Sequence, residues 1–190
     1  MVKPFALFLT WTCYGNWLPG DKRGYVSNTL RPDGSFEHKR NVPGTEYATD
    51  DLYTRNNAKR LMHYSKARLT LDLSIVAAEA FIDTAQSQHW TITRGAVMSN
   101  HIHLLVHDCP DDGPAVRRIF KGRSQARLSD AFGSNRRWWT AGGFDSYLHS
   151  EEAIEEKSDY IHRQPFIIVE IDDMKVVARV NIDNQPKRES

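Results

Sequence analysis

Two histidines one residue apart, His101 and His103, sit inside the apolar run VMSNHIHLLVHD, residues 97–108. Imidazole is the commonest protein ligand for metals and carries protons near neutral pH. On an extended strand, residues two apart share a side and lie about 6.5–7 Å from each other, within reach of one cation. His107 stands about 13 Å further along, too far for the same ion. Alternation puts Ile102, Leu104 and Val106 on one face and His101, His103, Leu105 and His107 on the other. The pair alone admits two readings: half of a metal site, or histidines on a half-exposed strand. A third ligand must decide.

Two known arrangements fail. The His-x-His-x-Asp-His of metallo-β-lactamase-like zinc hydrolases would need other residues where Leu105 and Val106 stand. The three alternating histidines of histidine-triad nucleotide hydrolases would need a histidine, their nucleophile, at Leu105.

Further on, EEAIEEKSDYIHRQP carries Tyr160 and Gln164. Four residues apart on a helix is one turn apart on one face. A phenol and an amide oxygen could therefore converge. Oxygen ligands suit Mg²⁺ or Mn²⁺, and histidine nitrogens shift the preference toward Mn²⁺ and other transition metals. The plainer reading is a packing tyrosine and a solvated glutamine. His162 is a candidate base, but on a regular helix it points about 200° away from Tyr160.

A second helix supplies charge. Arg117, Arg118, Lys121, Arg123 and Arg127 precede its first acid, Asp130, and Arg136, Arg137, Trp138 and Trp139 follow. Cations beside aromatic rings suit a nucleic-acid strand, with phosphates to neutralise and bases to stack. The alternative is a solvated helix face followed by two core tryptophans.

The elements that must position these residues can be read along the chain. A first strand over about Phe5–Cys13 is rich in aromatic and β-branched residues. Residues 20–51 show no period and read as a long loop or insertion. The stretch 55–68 is basic with scattered apolar residues. Leu71–Gln88 reads as a helix, with Asp72 or Ser74 as its cap. Strands at HWTITRGAVM and HIHLLVHD follow, joined by a turn at Ser99-Asn100. Pro114 opens a helix that runs to Phe132 and stops at Gly133. An extended stretch, NRRWWTAGGFDSYLHS, precedes a third helix capped by Ser150 and ended at Gln164 by Pro165. The stretch from Pro165 onward reads as strand or packed tail, and residues 181–190 as a disordered tail. The order strand, helix, strand, strand, helix, strand, extra helix predicts an α+β sandwich of the ferredoxin-like kind. Its antiparallel sheet has helices on one face and an open face for the site, within a single domain over residues 1–180.

The segments VMSNHIHLLV, DYIHRQP and the N-terminal FLTWTCYGNWLPGD together resemble the single-tyrosine HUH transposases. These include the insertion-sequence-200-like enzymes and the REP-associated tyrosine transposases. The resemblance brackets most of the chain but leaves out the long loop and the tail. It implies that His101 and His103 bind a divalent metal, Mg²⁺ or Mn²⁺, with Gln164 as third ligand. It implies that Tyr160 is the nucleophile, forming a 5′-phosphotyrosine on single-stranded, hairpin-containing DNA, and that the protein works as a homodimer. The chain has Ser99 where the family often has proline, and Gln164-Pro165 where REP-associated members often have Asn-Pro. Competing readings are a non-catalytic binder of DNA or RNA hairpins on the same fold, and a nucleotide hydrolase of the histidine-triad kind. Tyr14 and Tyr147 compete as nucleophiles, but Tyr147 lacks a glutamine one turn on.

Totals set the outer bounds. With 190 residues and 40% hydrophobic content, one core is within reach. The net charge of +1 places any DNA binding on a local patch. Cys13 and Cys109 are the only cysteines and read as free thiols of a reducing compartment. No apolar run reaches the ~18 residues of a membrane span, and Phe5–Leu9 is too short for a signal peptide. The expectation is a cytoplasmic protein, at the nucleoid when bound to DNA.

Overall fold

The computed structural model describes residues 4–21 and 52–179. Most of the long loop at 20–51 and the tail at 181–190 lie outside these residues. The chain divides into two compact units, residues 14–67 and residues 1–13 with 68–190. In the smaller unit, helix α1 (Leu52–Arg60) buries no residue of its own. There the Asn16 amide donates to the Ala67 carbonyl at 2.6 Å, and the Tyr14 hydroxyl accepts from the His63 amide at 3.2 Å.

The larger unit runs β1 (Ala6–Thr12), α2 (Leu71–Gln88), β2 (Thr91–Met98), β3 (His101–His107), α3 (Gly113–Phe132), β4 (Phe144–Leu148), α4 (Glu151–His162), β5 (Ile167–Asp172) and β6 (Lys175–Ala178). Its six strands form one sheet in the order β4-β1-β3-β2-β5-β6, and every pairing is antiparallel. The first four strands in that order have the ferredoxin-like arrangement expected from the element sequence. The stretch after Pro165 folds as a β5–β6 hairpin that widens the sheet.

Alternation separates the two faces. Leu7, Leu9 and Trp11 lie opposite Val106, Leu104 and Ile102, and all six are buried. On this face Trp11 meets Phe81 of α2 edge-on at 5.5 Å, and Phe81 meets Phe120 of α3 at 6.1 Å. Helix α2 begins at Thr70, whose hydroxyl accepts from the Leu73 amide. Neither Asp72 nor Ser74 is the cap: Ser74 lies within the helix, fully buried. Gly133 ends α3 in the left-handed conformation at φ 69°, as glycine allows without a Cβ clash.

The other face is not open. Ala6, Phe8, Ala96, Met98, Leu105, Leu148 and Ile167 form a second core cluster there with Ile161 of α4, and Ala153 and Ile154 pack against it. The apolar part of this face must be covered to leave water, and α4 covers it. Ser150 caps α4 by accepting from the Ala153 amide at 3.2 Å, with Glu151 and Glu152 in the first turn, where the helix dipole favours acids. The helix ends at His162, two residues before the expected Gln164. Among the described residues no helix is long and apolar enough to cross a membrane.

Candidate active site

His103 sits mid-strand on β3, with Thr10 of β1 on one side and Ala96 of β2 on the other. These small neighbours leave space above the sheet for rings. Phe8 fills part of it, stacked on the His103 imidazole at 5.5 Å and 19°. His103 is 5% exposed, and among the described residues neither ring nitrogen has a hydrogen-bond partner. Burial, and then the neighbouring His101, push its pKa down to about 3. The ring is therefore neutral at neutral pH, the form that binds a metal. Leaving both nitrogens of a buried imidazole unsatisfied is costly, and a ligand held at the site is one way such groups are satisfied.

His101 is half-buried and meets His103 edge-on, with ring centroids 4.9 Å apart. Its Nδ1 lies 2.7 Å from Oδ1 of Asn100. An Nδ1–H donated to that oxygen leaves the Nε2 lone pair as the ligating atom and fixes the ring's orientation. The pair thus fits a divalent cation by its chemistry. Among the described residues no group of three or more His, Cys, Asp or Glu side chains could hold a metal, so a third ligand from these residues would be of another type.

Helix α4 brings Tyr160 to the histidines. Its ring stands edge-on to His103 at 5.5 Å and 72°, and edge-on to Phe8 at 5.9 Å. Tyr160 is 45% exposed, which leaves it reachable by a macromolecule. It shares an open groove of about 420 Å³ with Gln164, Glu156, Asp159 and Arg163. Gln164 uses its amide nitrogen to donate to the Tyr160 carbonyl at 3.2 Å. Tyr160 and Gln164 thus share one groove, and Tyr160 also touches His103. The histidines are not among the residues that line that groove.

The other candidates lie elsewhere. His162 turns to β5, where its Nδ1 is 3.1 Å from Oε1 of the buried Glu170. The Tyr147 hydroxyl accepts from the Gly113 amide at 3.2 Å, at the start of α3. Helix α3 packs on the sheet face opposite the histidines. Arg117 pairs with Asp145, and Lys121 donates to the carbonyls of Thr140, Ala141 and Gly142. These two basic side chains hold the α3–β4 connection. Arg123 donates to the Ser87 hydroxyl and Arg127 pairs with Asp83 at 3.2 Å, yet both stay exposed, as do Arg118 and Arg137. Arg136 lies over the rings of Phe132 and Trp138.

The tryptophans correct the expectation of a stacking platform. Trp138 and Trp139 are 1% and 4% exposed. Trp139 meets Trp11 edge-on at 6.0 Å and donates its indole N–H to the Ser124 hydroxyl at 3.0 Å. Trp138 packs edge-on against Phe132 at 5.2 Å. Rings used up in the core offer no face to a base.

Three residues around the site escape a reading by motif: Phe8, Lys157 and Glu170. Phe8 depends on strand pairing and Glu170 on a cross-sheet row, neither of which leaves a local signal. Lys157, three residues before Tyr160, falls on the helical spacing that was there to use.

No curated protein matches the chain. Solved structures resemble it, two transposases among them. One is the REP-associated tyrosine transposase bound to a REP hairpin: 12% identity, TM-score 0.44, covering 85% of this chain and 66% of that one. The chain thus spans just under two thirds of that protein's length. The other is a candidate transposase from Deinococcus radiodurans R1: 15% identity, TM-score 0.40, covering 86% and 93%. The family model described as "Transposase IS200 like" matches residues 60–164, more than half of the chain. That span runs from before α2 to Gln164 and holds His101, His103 and Tyr160, and on it the chain belongs to the IS200-like transposases.

Proposed function

We propose that this transposase cleaves and rejoins single-stranded, hairpin-containing DNA through a 5′-phosphotyrosine at Tyr160. One observation carries the reading: the exposed Tyr160 ring meets the buried, neutral His103 imidazole within a single aromatic cluster. A neutral phenol is a weak nucleophile, so it needs electrostatic help at the phosphate. His101 and His103, with Gln164 as third ligand, would hold Mg²⁺ or Mn²⁺. Bound there, the ion would supply Lewis-acid polarisation of a phosphate oxygen.

The chain's own residues do the rest. The Tyr160 oxygen bonds to phosphorus and its phenolic proton leaves to solvent. The P–O3′ bond breaks, and the 3′ oxygen keeps the electron pair and takes up a proton. A second 3′-OH reverses the exchange, and because one ester replaces another, no nucleotide hydrolysis is needed. Asn100 orients His101, and Phe8 holds His103 and Tyr160 in register. The exposed arginines Arg118, Arg123, Arg127 and Arg137 are proposed to contact phosphates away from the chemistry. The protein is proposed to act as a homodimer.

Strand cleavage tests this reading. End-labelled hairpin oligonucleotides incubated with Mn²⁺ or Mg²⁺ should be cut by the wild type. Cutting should vanish with EDTA and in Tyr160→Phe. Tight hairpin binding with no cutting on any substrate would favour a non-catalytic binder on the same fold.

A further inference from the structure

Lys157 has no part in the motif-based site, yet its side chain is held against that site. It lies on α4 one turn before Tyr160. Its ammonium stands 5.8 Å from the Tyr160 ring centroid and 6.0 Å from that of Phe8. Phe8 in turn stacks on His103 and meets Tyr160 edge-on. One aromatic residue therefore gathers the nucleophile, a candidate metal ligand and a cation.

The charge on Lys157 is not consumed by a strong ion pair. Its carboxylate contact is Glu156, the preceding residue, at 3.4 Å, and that carboxylate side chain is 76% exposed. An exposed pair of this kind is screened and weak. The contrast is Arg163, which lines the groove beside Tyr160 and is bonded to Asp159. The Lys157 side chain is itself only 30% exposed, so aromatic rings set the position of its ammonium before any substrate arrives.

We propose that Lys157 is a further catalytic residue, whose ammonium binds a non-bridging oxygen of the scissile phosphodiester during attack by Tyr160. This rests on the phosphotyrosine reading above. Negative charge on the non-bridging oxygens must be neutralised as the Tyr160 oxygen bonds to phosphorus and the P–O3′ bond breaks. A preorganised N–H donor aimed at that charge speeds the step without reorganising. Lys157 keeps all its protons throughout. The phenolic proton goes to solvent, and the departing 3′ oxygen takes one from solvent.

The test is single-turnover cleavage of a labelled hairpin oligonucleotide at saturating protein and Mn²⁺, comparing wild type, Lys157→Met, Lys157→Arg and Tyr160→Phe. Hairpin affinity and melting temperature are measured on the same proteins. Lys157→Met should slow cleavage about 100-fold, the usual effect of removing one such donor. Its hairpin affinity and melting temperature should stay near wild type, and Lys157→Arg should recover most of the rate. A wild-type rate in Lys157→Met, or a loss that saturating protein restores, overturns the proposal while leaving the phosphotyrosine reading intact. Undiminished cleavage in Tyr160→Phe overturns both.

Discussion

Tyr160 of α4 meets His103 of β3 edge-on within one chain, with ring centroids 5.5 Å apart. Tyr160, the proposed nucleophile, and the histidine pair therefore need no second subunit to come together. Mixing a His103→Ala protein with a Tyr160→Phe protein should leave cleavage at the background of either alone. Recovery of about a quarter or more of wild-type activity in the mixture would mean that α4 serves the partner's histidines instead.

The Asn100 side chain meets His101 through the 2.7 Å contact of its Oδ1 to Nδ1. Residues that orient a ligating histidine typically contribute about 10–100-fold in metal affinity. Asn100→Ala should therefore weaken Mn²⁺ binding by about that factor, read by titration calorimetry, while the melting temperature of the metal-free protein changes little. Unchanged affinity would remove Asn100 from the account.

Glu170 stands in one cross-strand row with Ala96 and His103 and anchors the far end of α4. Its carboxylate meets Arg94 at 3.2 Å, Arg179 at 2.6 Å and His162 at 3.1 Å. Burial alone pushes its pKa up. The His162 hydrogen bond, together with the charge and hydrogen bond of Arg179, outweighs that and holds it below the ordinary carboxylate range. A carboxyl whose pKa is lower in the folded protein stabilises it fully above the unfolded value and stops doing so as pH falls through the folded value. Stability should thus drop as pH falls below about 4.3, the ordinary glutamate value. Glu170→Gln should flatten that drop and cost about 1 kcal/mol at pH 7, a modest figure because His162 is exposed and Arg179 only half-buried. Denaturant melts from pH 3 to 7 check both.

The sequence made the ferredoxin-like order legible because strand and helix signals there are local. Leu71–Gln88 is a helix with the expected bounds, and Gly133 ends α3 as its type requires. The His101–His103 and Tyr160–Gln164 spacings were readable for the same reason: each pair lies within one element. What was not readable depends on packing between elements. An amphipathic α4 does not announce which sheet face it covers, so the histidine face read as open. Two adjacent tryptophans after a basic helix fit DNA stacking and core packing equally well, and only the pairing of Cys13 with Trp139 beside Trp11 decides for the core.

That decision separates two kinds of variant. Trp139→Ala should cost about 3–5 kcal/mol of stability, the range for deleting a buried aromatic, in denaturant melts. Arg118→Ala and Arg137→Ala should leave stability within about 0.5 kcal/mol. If they contact phosphates, each should reduce the salt dependence of DNA affinity by about 0.7 in log–log slope. A Trp139→Ala protein that is fully stable but fails to bind DNA would restore the stacking reading.

The most direct measurement is peptide mapping by mass spectrometry of protein incubated with hairpin single-stranded DNA and Mn²⁺. The account predicts one covalent adduct, a nucleotide joined through its 5′ phosphate to the peptide containing Tyr160, absent with EDTA. An adduct on Tyr147 or Tyr14, or cleavage that leaves no protein–DNA bond, would contradict it.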